Sequence, residues 1–257
     1  MIPIHYFVRH YTCYYIFNFN FYYYLLIKDF KAAFKCEEVR WYFGIIIVSV
    51  LLIAFNITSM FNSFFEALKH AFFNVGSVIT TTGFASHDFN TWPEFSKTIL
   101  LILMFIGACA GSTGGGIKVS RIVIMLKDFK NTVDHYVFPR KIKHVFFEGK
   151  ALNNDLVYSI RSYISIYFFL FFISLLLLSL NDLDFATNFS AVAACFNNIG
   201  PAFGLAGPMS NYNCFNYFSK IVLIFDMLAG RLELIPILIL FSLAKNRHKQ
   251  VKAIEDE

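Results

Sequence analysis

The stretch Thr-Thr-Thr-Gly-Phe-Ala, residues 80–85, lies between a short amphipathic run and a long hydrophobic run. An altered copy, Asn-Asn-Ile-Gly-Pro, occupies residues 197–201, and the two glycines, Gly83 and Gly200, are 117 positions apart. Within a bilayer, irregular backbone is tolerated only where protein covers it or where it lines a water-filled cavity. Two glycine-centred hairpins between membrane-length segments therefore predict an ion-selective pore.

The composition is that of a membrane protein. Hydrophobic residues make up 57% of the 257 and charged residues only 15%, which is far from the balance of a soluble domain. Four apolar runs are long enough to cross roughly 30 Å of hydrocarbon as helices: 41–65, 98–117, 162–181 and 221–244. Two shorter runs, 66–79 and 185–198, cannot span and predict re-entrant helices.

Lysine and arginine occur in blocks along the chain. They precede the first apolar run, recur through residues 118–150 and follow the last run, whereas 84–96 and 201–217 contain neither. Since short basic loops stay in the cytoplasm, the pattern predicts a multi-pass protein with both termini cytoplasmic. The net charge of +5 is then a topology signal rather than a sign of nucleic-acid binding.

A second internal similarity accompanies the hairpin pair. The pattern Phe95-Ser96-Lys97, Leu100, Met104, Gly107 recurs at a constant offset of 123 as Phe218-Ser219-Lys220, Leu223, Met227, Gly230. It predicts two parallel units, each made of a helix, a re-entrant helix, a hairpin and a second helix. An old duplication retained only for packing is the alternative. The predicted boundaries are 1–40 for an N-terminal cytoplasmic segment, 41–130 for the first unit, 131–155 for a cytoplasmic linker, 156–245 for the second unit and 246–257 for a cytoplasmic tail.

The hairpins carry the chemistry that a bare cation needs. An ion entering low dielectric loses hydration worth on the order of 20 kcal/mol, which a pore replaces with oxygen atoms at fixed positions. Thr80, Thr81 and Thr82 offer consecutive carbonyls. Gly83 can turn its own carbonyl inward, and the negative end of the preceding helix dipole favours a cation. The corresponding residues of the second hairpin are Asn197, Asn198, Ile199 and Gly200.

The apolar run 98–117 contains a glycine-rich segment. Its residues include Gly107, Gly111, Ser112, Thr113, Gly114, Gly115 and Gly116. Glycine disfavours a helix by about 1 kcal/mol per residue, so a loop should interrupt the membrane helix here. A nucleotide-binding loop is the alternative, but it requires Gly-Lys-Ser/Thr, whereas Ile117 precedes Lys118 and Val119 follows it.

The last apolar run contains Arg231 and Glu233, where charge is costly and usually functional or paired. Their spacing places them on different sides of a helix, so they should not pair with each other. An arginine buried for assembly, or reaching to the membrane interface, is the alternative to a functional one. Asp226 has no evident role, and Pro236 should kink the helix.

No catalytic or metal-binding constellation is present in the sequence. The five cysteines form no C-x-x-C pair, and the seven histidines show no ligand spacing. We therefore expect no cofactor, no transition-metal site and no enzymatic activity. A membrane-embedded enzyme, the rival class, would need converging acid, base, nucleophile or metal groups.

Four motifs resemble the Trk/Ktr/HKT superfamily of potassium transporters, closest to the bacterial TrkH type. They are TTTGFASHDFNTWP (80–93), GACAGSTGGGIK (107–118), NNIGPAFG (197–204) and GRLE (230–233). The resemblance covers residues 25–245 and corresponds to the third and fourth of four units. It implies an all-α membrane protein of the plasma membrane (the bacterial inner membrane) that takes up potassium.

The resemblance also implies roles for particular residues and partners. Thr80 to Gly83 and Asn197 to Gly200 would line a potassium filter. The glycine segment 107–116, with Arg231 pointing at it, would form the gate. The resemblance implies a homodimer in membrane lipid that associates with a TrkA-like cytoplasmic nucleotide-binding regulatory subunit. Residues 118–150 and the tail are candidate docking sites for that subunit. No nucleic-acid partner is implied.

Two hairpins cannot make a four-sided filter. We therefore expect a truncated or split transporter chain that conducts only with the missing N-terminal half. Dimerisation that brings four hairpins together is one alternative. A non-conducting membrane fragment or a regulatory remnant is another.

Overall fold

The computed structural model describes residues 36–110, 112, 114–138 and 144–231. In these ranges the chain forms seven α-helices: α1 (Glu37–Ile57), α2 (Phe64–Ile79), α3 (Glu94–Phe105), α4 (Val119–Val137), α5 (Asn154–Ser179), α6 (Phe185–Phe196) and α7 (Tyr217–Arg231). A two-residue strand, β1 (Phe146–Phe147), pairs antiparallel with β2 (Lys150–Ala151) between α4 and α5. The predicted all-helical class is confirmed.

Two helices are long and apolar enough to cross a membrane. The first runs through α1 and the following 3₁₀ turn, Glu37–Met60, with a mean hydropathy of 2.3, and the second is α5, with 2.1. In the most apolar stretch of each helix, only 28% and 33% of the residues are buried inside the protein, so these are not core helices. Their outward surfaces carry large apolar side chains such as Phe55, Phe169 and Leu176, which suit hydrocarbon.

Two shorter helices, α2 and α6, each follow one of the two membrane-length helices. The hydroxyl of Ser63 accepts a hydrogen bond from Glu66 N–H at the start of α2 (3.2 Å), and Asp184 accepts from Thr187 N–H at the start of α6 (2.9 Å). Both contacts satisfy N–H groups that a helix start leaves unpaired. α2 packs against α1 and α3, and α6 packs against α5 and α7. Their bounds agree within two residues with the sequence prediction.

The third apolar run does not remain helical. α3 ends at Phe105, and α4 begins at Val119 after an irregular segment that contains the glycines. α4 then continues to Val137, well into the basic region that the sequence assigned to the cytoplasm. Several expectations fall outside the described residues: the N-terminal segment up to residue 35, Glu233, Pro236 and the tail.

The two predicted units pack into one another. The largest cluster of buried apolar side chains draws members from all seven described helices. In the loops that follow the hairpins, Phe89 packs edge-on against Phe203 with ring centres 5.3 Å apart. The Asn90 side chain accepts from Gly204 N–H (3.0 Å) and donates to the Gly204 carbonyl (2.9 Å). These contacts hold the loops that follow the two hairpins against each other, so the hairpins are adjacent in the fold.

Candidate functional site: two hairpins and an intramembrane segment

The first hairpin leaves α2 through a tight, strained turn. Three successive N–H groups bond back to the last turn of the helix: Thr80 to Gly76 O (3.1 Å), Thr81 to Val78 O (3.0 Å) and Thr82 to Ser77 O (2.9 Å). Thr81 has φ of 54°, a left-handed conformation that is costly for a β-branched residue. Strain of this kind persists only where the surroundings fix it, and it is concentrated at functional sites.

The second hairpin repeats this backbone with different side chains. Its bonds are Asn197 to Ala193 O (3.1 Å), Asn198 to Cys195 O (3.0 Å) and Ile199 to Ala194 O (2.8 Å), every position 117 residues after its counterpart. Asn198 takes the left-handed conformation (φ 57°) in place of Thr81, and Gly200 (φ 104°) takes it in place of Gly83 (φ 79°). The backbone geometry, rather than the side chains, is what the two hairpins share.

The hairpins lie side by side with unpaired carbonyls. A Cβ at Gly83 would fall 2.1 Å from the Ile199 carbonyl oxygen, so only glycine allows this approach. Within the described part of the chain, the carbonyls of Thr80 to Gly83 and of Asn197 to Ile199 accept no hydrogen bond. These hairpin carbonyls are therefore backbone acceptors that the described residues leave unused.

The asparagine side chains of the second hairpin serve to hold it. Buried Tyr167 on α5 donates its hydroxyl to Asn197 Oδ1 (2.7 Å). The amide of Asn198 donates to a backbone carbonyl of α7 (3.0 Å). Outside the membrane helices, the Tyr212 hydroxyl donates to the Gly200 carbonyl (2.5 Å). Since both asparagine side chains are engaged elsewhere, the hairpin offers its backbone oxygens.

The glycine segment is described at residues 107–110, 112 and 114–116, and its two ends are held together by backbone hydrogen bonds. Its neck is formed by Gly107 N–H donating to the Ile117 carbonyl (2.8 Å) and Ile117 N–H donating to the Phe105 carbonyl (3.2 Å). The segment then turns against both hairpins. Gly115 N–H donates to Thr81 Oγ1 (3.3 Å), and a Cβ at Gly115 would lie 2.2 Å from the Asn197 carbonyl oxygen. One residue of the segment thus touches both hairpins.

Two charged side chains bind the backbone of this region. Lys118 is 8% exposed, and its ammonium donates to the carbonyls of Gly114 (2.6 Å) and Ser112 (3.1 Å). Glu38, at the start of α1, is 2% exposed and accepts from the N–H groups of Ala110 (2.7 Å) and Ser120 (3.2 Å). Buried charges are tolerated where backbone groups satisfy them in this way.

A cavity of about 180 Å³ adjoins the segment and is lined with positive charge. Its charged residues are Lys118, Arg121 and Arg231, and the remaining lining includes Ser112, Gly114, Gly116, Tyr163 and Gly230. The Arg121 guanidinium lies 4.0 Å from the centre of the Tyr163 ring, a cation–π contact. Arg231 is therefore beside the glycine segment, where the resemblance placed it.

The predicted site residues are largely brought together. All filter residues lie in the two adjacent hairpins, and of the gate residues only Gly111 and Thr113 fall outside the described ones. Sequence reasoning counted Lys118 among the cytoplasmic basic residues, whereas it is buried, and it did not single out Glu38. Asp226, which had no evident role, is fully buried and accepts a hydrogen bond from Ser174 (2.6 Å).

The described part of the chain thus combines two helices of membrane length with a pair of adjacent hairpins. The model of the TrkH family, described as cation transport protein, matches residues 34–252. The chain therefore belongs to the TrkH family, which confirms the resemblance drawn from the motifs.

Curated relatives agree with this assignment. The Trk system potassium uptake protein TrkH of Vibrio parahaemolyticus is 36% identical over 215 residues, which is 82% of this chain and 44% of the relative. TrkG of Escherichia coli K12, with the same description, is 33% identical over 230 residues, 88% of this chain and 47% of the relative. The chain thus spans a little under half the length of these relatives, which are named as uptake proteins rather than enzymes.

A solved structure also matches. The crystal structure of the potassium transporter TrkH from Vibrio parahaemolyticus superposes with a TM-score of 0.78 at 33% sequence identity. The match covers 87% of this chain and 48% of that one. Fold and family are therefore established independently.

Proposed function

We propose that this chain is the pore-forming part of a Trk-type potassium uptake system in the bacterial inner membrane. The observation that carries the proposal is the pair of adjacent hairpins whose carbonyls, apart from that of Gly200, accept no hydrogen bond from the described residues. Family membership supports the choice of potassium, because relatives are named as potassium uptake proteins.

The hairpin residues coordinate the ion through their backbone. Thr80 to Gly83 and Asn197 to Gly200 supply oxygens that replace water around the cation without adding a full negative charge that would hold it. α2 and α6 both end at the hairpins, so the negative ends of two helix dipoles meet where the cation would bind. Gly200 differs from the others because its carbonyl is occupied by Tyr212.

The glycine segment and Arg231 form the gate. The segment lies against both hairpins through Gly115, and glycine backbone can rearrange at low steric cost. Arg231 adds positive charge to the adjoining cavity and so opposes a cation there.

A complete filter needs two more hairpins, since this chain supplies two and spans under half the length of its relatives. We propose that an N-terminal half or a second copy of the chain supplies the two missing hairpins. The proposed assembly is a dimer in membrane lipid with both termini cytoplasmic. A TrkA-like cytoplasmic subunit regulates this assembly. The basic region 118–150 and the tail are the proposed docking sites. The proposed boundaries of the units remain those given by the sequence.

Rubidium uptake in a strain without other potassium uptake systems tests this function. The chain is expressed alone and together with the first half of a related TrkH. We expect uptake in the combined expression, its loss in Gly83→Val, which places side-chain atoms on the Ile199 carbonyl, and its retention in Gly44→Val, where no atom lies within 4 Å of a Cβ. Uptake that Gly83→Val leaves intact would reject the filter, and absence of uptake in every combination would favour a non-conducting fragment.

The gate is tested in the same strain by deleting residues 111–115 and, separately, by Arg231→Ala. Removal of an obstruction or of an opposing charge should raise uptake in both variants. Unchanged uptake in both would reject this assignment of the gate.

A further inference from the structure

A positive charge lies inside the glycine segment itself. Among the residues that the structure describes, the Lys118 ammonium donates to three oxygens: the Gly114 carbonyl (2.6 Å), the Ser112 carbonyl (3.1 Å) and the Ser112 hydroxyl (3.4 Å). The side chain is 8% exposed, so the bonds form in a largely desolvated place.

These bonds add to the neutral hydrogen bonds that order the same stretch, in which the Ser112 N–H and hydroxyl both donate to the Cys109 carbonyl. Glycines lose more backbone entropy on folding than other residues and contribute no side-chain packing. Hydrogen bonds from a charged donor are roughly twice as strong as neutral ones. Since Lys118 directly follows the segment and reaches back to Ser112 and Gly114, it closes a ring through the chain and holds the segment folded.

A second charge fixes the ends of the same stretch. One carboxylate oxygen of Glu38 accepts from Ala110 N–H and from Ser120 N–H, on either side of the Lys118 ring. Glu38 belongs to α1, so the ends of the stretch are tied to a membrane-spanning helix. Among the described residues between these ends, Ser112 bonds to the Cys109 carbonyl and Gly115 to Thr81, and Lys118 bonds to Ser112 and Gly114. Lys118 supplies the charged contact of this middle part, so its loss should loosen the fold of the segment most.

We propose that Lys118 is the positioning residue of the gate: its ammonium holds the glycine segment folded against the two hairpins, and opening requires the release of the Ser112 and Gly114 carbonyls. The gating half of this inference rests on the proposed function. The folded segment opposes the passage of a cation in two ways. It occupies the space next to the hairpins, and two of its carbonyls already bind the positive charge of Lys118.

Cysteine alkylation tests the structural half without any transport. Cys109 is fully buried at the segment's neck, so it reacts only when the segment opens. The full chain in lipid nanodiscs is treated with N-ethylmaleimide, and modification of Cys109 is followed by peptide mass spectrometry. We expect Lys118→Met to react at least tenfold faster than the unmodified chain. Removing a nearby positive charge disfavours the thiolate, so that effect alone would slow the reaction.

Matched variants separate this role from general loosening. Lys127→Met removes a lysine that pairs with Glu37 and the Phe146 carbonyl, away from the segment, and should leave the rate of Cys109 unchanged. Lys118→Arg keeps the charge and should react at an intermediate rate. If Lys118→Met does not fold, Lys118→Gln, which keeps a neutral donor on a shorter side chain, should still accelerate alkylation severalfold. Equal rates in the Lys118 variants and the unmodified chain would overturn the proposal, as would equal acceleration by Lys127→Met.

Rubidium uptake then tests the gating half. Where the assembled transporter conducts, Lys118→Met should raise uptake in the absence of the regulatory subunit at least tenfold, while Lys127→Met should not. Faster alkylation without uptake in any variant would reject the proposed function and leave the folding role of Lys118 standing. Unaltered alkylation would reject the role of Lys118 whatever the uptake.

Discussion

Substituting Gly115 by alanine perturbs a residue of the glycine segment that contacts both hairpins. A Cβ there would lie 2.2 Å from the Asn197 carbonyl oxygen and 2.8 Å from its carbon. Both atoms are backbone at the end of α6, where Asn197 N–H is bonded to Ala193, so neither can swing aside as a side chain would. The segment must move by roughly 1 Å to restore an ordinary contact.

The cost follows from these contacts. Overpacking of a well-packed site costs about 1–3 kcal/mol, and loss of the bond from Gly115 N–H to Thr81 Oγ1 adds about 0.5–1.5 kcal/mol. The total is on the order of 2–4 kcal/mol. At roughly 2–4 °C per kcal/mol, the midpoint of thermal unfolding should fall by roughly 4–16 °C.

Thermal unfolding of the purified chain in detergent, followed by loss of the monodisperse peak on size exclusion, measures this shift. Gly44→Ala is the matched control, because it lies in α1 with nothing within 4 Å of its Cβ. Relief of glycine's entropic cost in a helix should leave that variant unchanged or stabilise it by about 0.5–1 kcal/mol. If Gly115→Ala unfolds at the same temperature as Gly44→Ala, the segment does not pack against Asn197, and the contact on which the gate depends is absent.

Three further predictions concern the surroundings of the second hairpin. Tyr212→Phe removes the donor to the Gly200 carbonyl, so it should cost about 0.5–1.5 kcal/mol in the same assay and reduce rubidium-over-sodium selectivity. Desolvation raises the pKa of Tyr212, so the unmodified chain should keep this hydrogen bond in alkaline buffer. A loss of selectivity near pH 10 would contradict this prediction. Asp184→Ala removes the cap of α6 and should cost about 0.5–2 kcal/mol. Because hydrogen bonds from Thr187 lower the pKa of Asp184, its contribution should be present above pH 4 and vanish as the pH falls below the depressed value, whereas Asp184→Asn should show no such loss. Ser174→Ala removes the hydroxyl that donates to the buried Asp226 side chain and should cost about 1–3 kcal/mol. The double variant Ser174→Ala, Asp226→Ala should lose less stability than the sum of the two single variants. Additive losses would show that the two residues do not interact.

Local patterns account for much of what the sequence predicted. Membrane-length runs follow from hydropathy alone, and the bounds of α2 and α6 follow from where apolar character stops. The break after Phe105 follows from glycine's low helix propensity. The uncharged run alone did not mark the start of α5, which begins at Asn154, eight residues before that run, because Asp155 and Arg161 belong to the helix without being apolar.

By itself, the sequence determined the family, the two hairpins and the glycine segment, because each is carried by a contiguous motif. Only the tertiary structure decided which charges are buried. Lys118 belongs to a basic block that hydropathy assigns to water, yet the carbonyls of Ser112 and Gly114 surround its ammonium. Glu38 lies 82 residues from Ser120, and their hydrogen bond depends on how α1 packs against α4. Such a charge is stable only where distant backbone groups converge on it, and convergence is a property of packing that no local pattern records.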